Sequence, residues 1–402
     1  MTRTFLNGIN STAVPILPSS GGTGVAYLDD LPPAIASLSG NTGITKTLAA
    51  LAQADSQLVS IPWIGDSLTA GHGTDAFGKG WIERLNLGLR HKYCSSLVGG
   101  LGFIPITYTS TGTSFTWPIV PATGSSTGVD VGPVRAAAEM TSTCTFTFTA
   151  PANTTSVRIL YFDALSGSFT WKIGSGSTTT ITGSGTGNDI LSASITITSG
   201  QVLTLAWVSG TIVLDGLIHF AGDESAGIQV SPCGHIGWDA STSGSGWNQP
   251  ETFTFDWLQV YSKFTGVIPA IGIMLGANDA VSYPPATFQT NLQAFITALR
   301  AETTIAALNN STGVDILLGI QPDPTGYETI FSGATWLQYV TAIRAIAAAN
   351  SNCAVVADFY SRVNGPNTDT RGLYNTTSAP GHWNDTGAAL AGASVAHSLG
   401  AA

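Results

Sequence analysis

Charge is what this sequence has least of: 9% of its 402 residues are charged, only 14 are Lys or Arg, and the net charge is −10. A nucleic-acid partner requires a basic face to offset phosphate charge. That balance disfavours nucleic acid and points to a neutral or weakly charged substrate. Long apolar runs are missing too, since none approaches the ~20 residues that span a bilayer. The start, Met1-Thr2-Arg3-Thr4-Phe5-Leu6-Asn7-Gly8, lacks the apolar core of a signal peptide. Neither membrane insertion nor secretion by the usual route is expected. Cysteine is scarce and scattered: Cys94, Cys144, Cys233 and Cys353 form no Cys-x-x-Cys, so no zinc site and no cofactor is expected. They read as buried thiols acting as small hydrophobes, with one or two disulfides as the alternative.

What the chain does have is 47 glycines and abundant Ser and Thr, in a length that suits about two domains. Residues 1–42, with Ser19-Ser20-Gly21-Gly22-Thr23-Gly24 at their centre, show no sustained period and read as an extended N-terminal arm. An arm of this kind packs on a neighbouring copy in a homo-oligomer or trails as a loose tail. Helical spacing of Ile44, Leu48, Leu51 and Ala54 is followed by the apolar run Ile61-Pro62-Trp63-Ile64, which reads as a buried strand. A helix is expected from Trp81 to Arg90. From about 103 to 230 the texture changes to short alternating segments, at 143–149, 156–162, 169–173, 178–182, 194–198, 202–208 and 211–214. Gly, Ser, Asn and Pro separate them, which predicts an all-β, jelly-roll-like sandwich over 102–227. Beyond 228, strands at 267–275, 314–320 and 353–359 alternate with helices around 288–299, 336–349 and 385–396. That order predicts an α/β domain, built from 43–101 and 228–402, whose parallel sheet is flanked by helices.

Nucleophilic acyl transfer requires a nucleophile, a base in reach of it, and donors aimed at the developing oxyanion. Ser67 ends the first strand in Gly65-Asp66-Ser67-Leu68, where ligands bind in open α/β sheets; capping the next helix is the plainer role. His382 lies in a Pro-Gly-His-Trp-Asn-Asp turn before the last helix. Asn278, after the strand at 267–275, offers a side-chain amide or else an Asx-turn. Gly237, in Cys233-Gly234-His235-Ile236-Gly237-Trp238, offers a backbone amide in a tight loop.

Taken in chain order, Gly65-Asp66-Ser67-Leu68, Gly237, Gly276-x-Asn278-Asp279 and His382-x-Asn384-x-x-Gly387 resemble the four blocks of the SGNH (GDSL-type) hydrolases. The resemblance covers about 57–101 and 228–400. It implies a flavodoxin-like fold, Ser67 as nucleophile with its own amide in the oxyanion hole, Gly237 and Asn278 as the other donors, and His382 as general base, without metal. In one respect the sequence departs from the family: the acid three residues before the histidine is replaced by Ala379. Either a backbone carbonyl orients His382, as in dyad members of the family, or a carboxylate such as Asp358 does; Asp385 is read instead as the cap of the final helix.

Sandwiches like the insert accompany carbohydrate-active members of the family. Trp117, Tyr161, Phe169, Trp171 and Trp207 in the insert, with Trp238, Trp247, Trp257 and Trp383 near the site, are candidates to stack on sugar rings, although aromatics at alternate strand positions also serve as core. The expectation is therefore a serine esterase removing acetyl groups from a polysaccharide or another neutral ester. The arm, the few lysines and the missing signal peptide also resemble phage tail fibres and tailspikes. This gives a glycan-binding structural protein as the alternative and an extracellular or virion-associated location. A general carboxylesterase or lipase is the other enzymatic reading.

Overall fold

A computed structural model describes residues 42–400 apart from 107–118, 125, 130–132, 135, 141, 164–165, 188, 243, 249–265, 302–312, 363–371 and 376–380. Almost all of the expected arm, together with Trp117, Trp257 and Ala379, lies outside the described residues.

The chain opens with α1 (Thr45–Leu51), β1 (Leu58–Gly65), α2 (Trp81–Tyr93) and β2 (Gly99–Pro105). A long β segment follows: β3 (Ile119–Thr123), β4 (Ser126–Val129), β5 (Ala137–Met140), β6 (Thr145–Thr149), β7 (Ser156–Phe162), β8 (Gly167–Ile173), β9 (Thr179–Thr182), β10 (Asp189–Leu191), β11 (Ile195–Thr196), β12 (Val202–Gly210) and β13 (Ile212–Ala221). Alternation of strand and helix then returns with β14 (Gly227–Gly234), β15 (Ala270–Met274), α3 (Ala277–Ser282), α4 (Pro285–Ala301), β16 (Asp315–Ile320), α5 (Trp336–Ala349), β17 (Cys353–Asp358), α6 (Phe359–Arg362) and α7 (Asp385–Gly400).

The strands β14-β1-β15-β16-β17 form a parallel core. β1 lies inside it and is buried at every position, as expected for a parallel strand covered on both faces. Its side chains divide between two layers. Ile64 joins Phe288, Leu292 and Phe295 of α4 and Tyr339, Val340 and Ile343 of α5. Val59, Ile61 and Trp63 join Ile82, Leu85 and Leu89 of α2 and Leu390, Ala391 and Val395 of α7. Helices on both faces of a mostly parallel sheet are thus what the alternating pattern encodes.

The β segment differs from the expected self-contained insert. β2 pairs parallel with β14 through Gly99 and antiparallel with β13, and β13 carries the pairing on to β7 and β10. One layer of the β segment is therefore an extension of the parallel sheet. The other layer is a five-stranded sheet, β3-β6-β12-β8-β9. Phe146, Phe148, Phe169, Leu203 and Leu205 from that sheet pack with Ile159, Leu214 and Leu217 from the extension.

Sequence pattern located β7 and α5 residue for residue but gave no sign of β2, β3, β4, β5 or β10. β2 is Gly-Gly-Leu-Gly-Phe-Ile-Pro and β5 is Ala-Ala-Glu-Met, poor strand formers that only neighbouring strands hold extended. Of the candidates to stack on sugars in the β segment, the described ones take the core alternative. Tyr161 and Phe169 are buried with ring centroids 5.5 Å apart, and Trp171 and Trp207 pack half-buried against the same cluster. Paired strand positions point to one face, and Phe169↔Trp207 and Leu205↔Trp171 pairing turns Phe169, Trp171 and Trp207 toward the core with Leu205. All four cysteines are free and buried.

Candidate active site

Beyond β1 the chain folds into hydrogen-bonded turns instead of a helix. Leu68 N–H donates to Asp66 Oδ1 at 3.0 Å, Ala70 N–H to the Asp66 carbonyl at 3.0 Å, and His72 N–H to the Ser67 carbonyl at 2.9 Å. The next helix, α2, starts at Trp81 behind Gly80. Ser67 therefore caps no helix, and Asp66 holds the turn. The Ser67 hydroxyl meets Nε2 of His382 at 2.7 Å.

His382 is carried by a short antiparallel bridge between Tyr374 and Trp383. Asn375 N–H donates to the His382 carbonyl at 2.7 Å, and Asn384 N–H to the Leu373 carbonyl at 3.0 Å. Trp383 anchors the turn in the core against Phe359 and Trp81. Asn384 Oδ1 accepts from the N–H groups of Thr386 and Gly387, each at 3.0 Å, which satisfies two first-turn donors of α7. The cap is thus Asn384 and not Asp385. Asp385 instead accepts from Lys79 Nζ at 2.5 Å and from Asp75 N–H at 2.9 Å, tying the loop after Ser67 to α7. Asp358 is engaged by Arg344 at 2.6 Å and by the Ser361 hydroxyl at 3.0 Å. Neither carboxylate serves His382, because each sits at a helix start with its own cationic partner.

Two rings flank His382. His72 meets it edge-on, with centroids 4.5 Å apart and planes at 89°, and Tyr327 lies 5.9 Å away. Gly381, at φ +79°, leaves the space that the Tyr327 ring fills: a Cβ there would lie 2.0 Å from the ring. A side chain at this position would displace either Tyr327 or His382.

The loop after β14 is hooked over the nucleophile turn by one acceptor. The Gly65 carbonyl takes His235 N–H at 3.0 Å and Trp247 Nε1–H at 3.1 Å. Gly237 in this loop has φ +81°, a left-handed backbone natural to glycine. Among the described residues, neither its N–H nor that of Ser67 has an acceptor. Asn278, on the first turn of α3, donates from Nδ2 to the Trp238 carbonyl at 2.9 Å. A side-chain amide carries two hydrogens, so one is left to point elsewhere. Ser67, His382, Gly237 and Asn278, separated by up to 315 positions, line one cavity of ≈ 230 Å³.

Sequence reading missed the groups behind and beside these four. Gln321, at the end of β16 and fully buried, donates to Asp66 Oδ2 at 2.6 Å and accepts from Ala277 N–H at 2.7 Å. It thereby links the Ser67 turn to the helix bearing Asn278. Burial pushes the Asp66 carboxyl up to about 6, against the lowering effect of the Gln321 and Leu68 bonds. Burial also raises Asp279 well above the usual carboxylate range and lowers His72. His72, Tyr327 and Glu328 line the cavity as well. Their only sequence signal is position, in loops beyond the carboxyl ends of β1 and β16, where open α/β sheets gather ligands. Of the candidate aromatics near the site, the described ones, Trp238, Trp247 and Trp383, are all buried.

No protein-family model and no curated protein matches the chain. Among solved structures, a peptidoglycan O-acetylesterase is similar over 91% of this chain and 97% of its own, at 16% identity and a TM-score of 0.58. A carbohydrate esterase family 2 enzyme with a carbohydrate-binding domain, from Corynascus thermopiles (Myceliophthora fergusii), aligns over 70% of this chain and 98% of its own, at 14% identity and a TM-score of 0.32. A family two carbohydrate esterase from Cellvibrio japonicus aligns over 70% and 96%, at 11% identity and a TM-score of 0.26. The first of these likenesses establishes a shared fold.

Proposed function

We propose that this chain is a serine esterase of the SGNH type that removes acetyl groups from a carbohydrate. The observation that carries this reading is the 2.7 Å contact between Ser67 Oγ and His382 Nε2, made in a cavity that Gly237 and Asn278 share. In the proposed reaction, Ser67 Oγ attacks the ester carbonyl carbon while its proton passes to His382 Nε2. The oxyanion that forms is met by the N–H groups of Ser67 and Gly237 and by the second amide hydrogen of Asn278, donors held in place before charge develops. His382 returns the proton to the leaving sugar alkoxide as the tetrahedral intermediate collapses to acyl-Ser67. Water then attacks the acyl-enzyme with His382 as base, and the proton ends on Ser67 Oγ as acetate leaves.

A cavity of ≈ 230 Å³ is below the usual range for drug-sized ligands and suits a two-carbon acyl group better than a lipid chain. The fold shared with a peptidoglycan O-acetylesterase supports the same substrate class. Asp358 and Asp385 are engaged elsewhere, so neither supplies the acid of a triad, and the proposed core of the reaction is the Ser67–His382 pair. In this reading 43–101 and 228–402 form the catalytic unit, 102–227 is its β insert, and 1–42 is an arm for self-association. Hydrolysis of 4-nitrophenyl acetate tests it. Ser67→Ala and His382→Ala should each lower turnover by about 10⁴-fold or more, and equal rates in wild type and Ser67→Ala would overturn it.

A further inference from the structure

Beside the four residues of the proposed chemistry, the cavity is lined by a consecutive pair that chemistry does not use, Tyr327 and Glu328. The loop that carries them is locked by its own bonds. Asp323 Oδ1 accepts from the N–H and hydroxyl of Thr325 at 2.9 and 2.6 Å, and the N–H groups of Tyr327 and Glu328 both donate to the Pro324 carbonyl, at 3.2 and 3.1 Å. The Tyr327 ring is wedged against Gly381 and packs beside His382, which fixes its direction. Its hydroxyl has no hydrogen-bond partner among the described residues, and the same holds for the Glu328 carboxylate. Burial raises the phenol above its ordinary value, so the hydroxyl keeps its proton and remains a donor. Glu328 is exposed and presents an acceptor. A fixed donor and a carboxylate acceptor, adjacent in sequence and opening on the cavity of Ser67, match adjacent hydroxyls of a sugar ring, each of which both gives and takes a hydrogen bond.

We infer that Tyr327 and Glu328 form the subsite for the alcohol part of the ester, and that this alcohol is a neutral sugar whose hydroxyls beside the acetylated position bond Tyr327 Oη and the Glu328 carboxylate. A uronate in the same place would meet the Glu328 charge on a protein whose net charge is already −10, so anionic glycans are rejected. The inference rests on the esterase reading above and adds the leaving group to it.

The test is a selectivity ratio: kcat/KM on an acetylated xylo-oligosaccharide divided by kcat/KM on 4-nitrophenyl acetate, whose leaving group has no hydroxyls beside the ester. Tyr327→Phe and Glu328→Gln, neither of which changes side-chain size appreciably, should each lower the ratio roughly five- to tenfold, the effect of one hydrogen bond. Most of that loss should appear in KM for the sugar ester. Glu328→Gln should also raise turnover of acetylated polygalacturonate relative to the neutral oligosaccharide. An unchanged ratio in both variants would overturn the inference. So would a wild-type enzyme that cleaves 4-nitrophenyl acetate but not the sugar ester. If Ser67→Ala retains full turnover of 4-nitrophenyl acetate, the esterase reading is what fails.

Discussion

Asn278 is the residue whose proposed duty divides most clearly between structure and chemistry. One amide hydrogen is bound to the Trp238 carbonyl, which fixes the side chain; the other has no acceptor among the described residues, and the proposed mechanism gives it to the oxyanion. Removing an oxyanion donor costs about 10²–10³ in kcat in comparable sites. Asn278→Ala should show a fall of that order with a much smaller change in KM. A rise in KM with kcat intact would mean that the amide binds ground-state substrate instead. That Ser67, Gly237, Asn278 and His382 gather at one cavity was legible from sequence because each sits in a short block with its own turn chemistry. Gln321, His72 and Tyr327 were not, since a single Gln, His or Tyr in a loop has no pattern to mark it. What they do depends on neighbours 255 positions away for Gln321 and Asp66, and no local spacing encodes that. The role expected of Asp385 belongs to the residue before it, a one-residue shift within the uncertainty of any helix boundary.

Among the elements, the start of α7 and the start of α2 govern how the site is held. Asn384 caps α7 with two bonds and also donates to the Gly372 carbonyl at 2.7 Å. Asn384→Ala should cost about 1–2 kcal/mol of stability and lower kcat, because the residue next to His382 loses its anchor. Asn384→Asp keeps the cap and should recover most of the stability; if both variants melt alike, the cap is not what matters. In α2, Glu83 is buried and Oε2 has no partner among the described residues. Burial pushes its carboxyl from 4.5 up to about 7. The folded state then holds this proton more tightly than the unfolded chain. Its stabilising effect is complete below about 4.5 and is lost as pH rises through about 7, a difference of about 3 kcal/mol. Melting temperatures of Glu83→Gln and wild type should diverge in favour of the variant between pH 5 and 8, whereas a pH-independent gap would show that Glu83 is not the titrating group. Elements with strong period, such as α5 and β7, were read at their observed limits. β2 and β5 were invisible, since glycine, proline and alanine become strand only through partners on either side.

For the whole molecule, continuity of the sheet matters most. The change of texture over 102–227 suggests a separate sandwich, but texture reports local composition, not which edge a strand joins. Here β13 and β2 continue the parallel sheet, so the β segment and the α/β part share hydrogen bonds across their boundary. The Val134 carbonyl in the β segment takes His235 Nδ1 at 2.6 Å, which connects that segment to the loop of Gly237. Scarcity of charge, legible at once, agrees with a neutral substrate, but the inward turn of Tyr161 and Phe169 takes these two rings out of any stacking surface that composition suggested. All of these parts converge on a single claim, that Ser67 is a nucleophile activated by His382. It is tested most directly by treating the protein with diethyl 4-nitrophenyl phosphate and locating the adduct by peptide mass spectrometry. The expected result is one diethyl phosphoryl group per chain, on Ser67, with loss of esterase activity in step with labelling and no adduct in Ser67→Ala. Labelling at another residue, or full activity with Ser67 blocked, would contradict it.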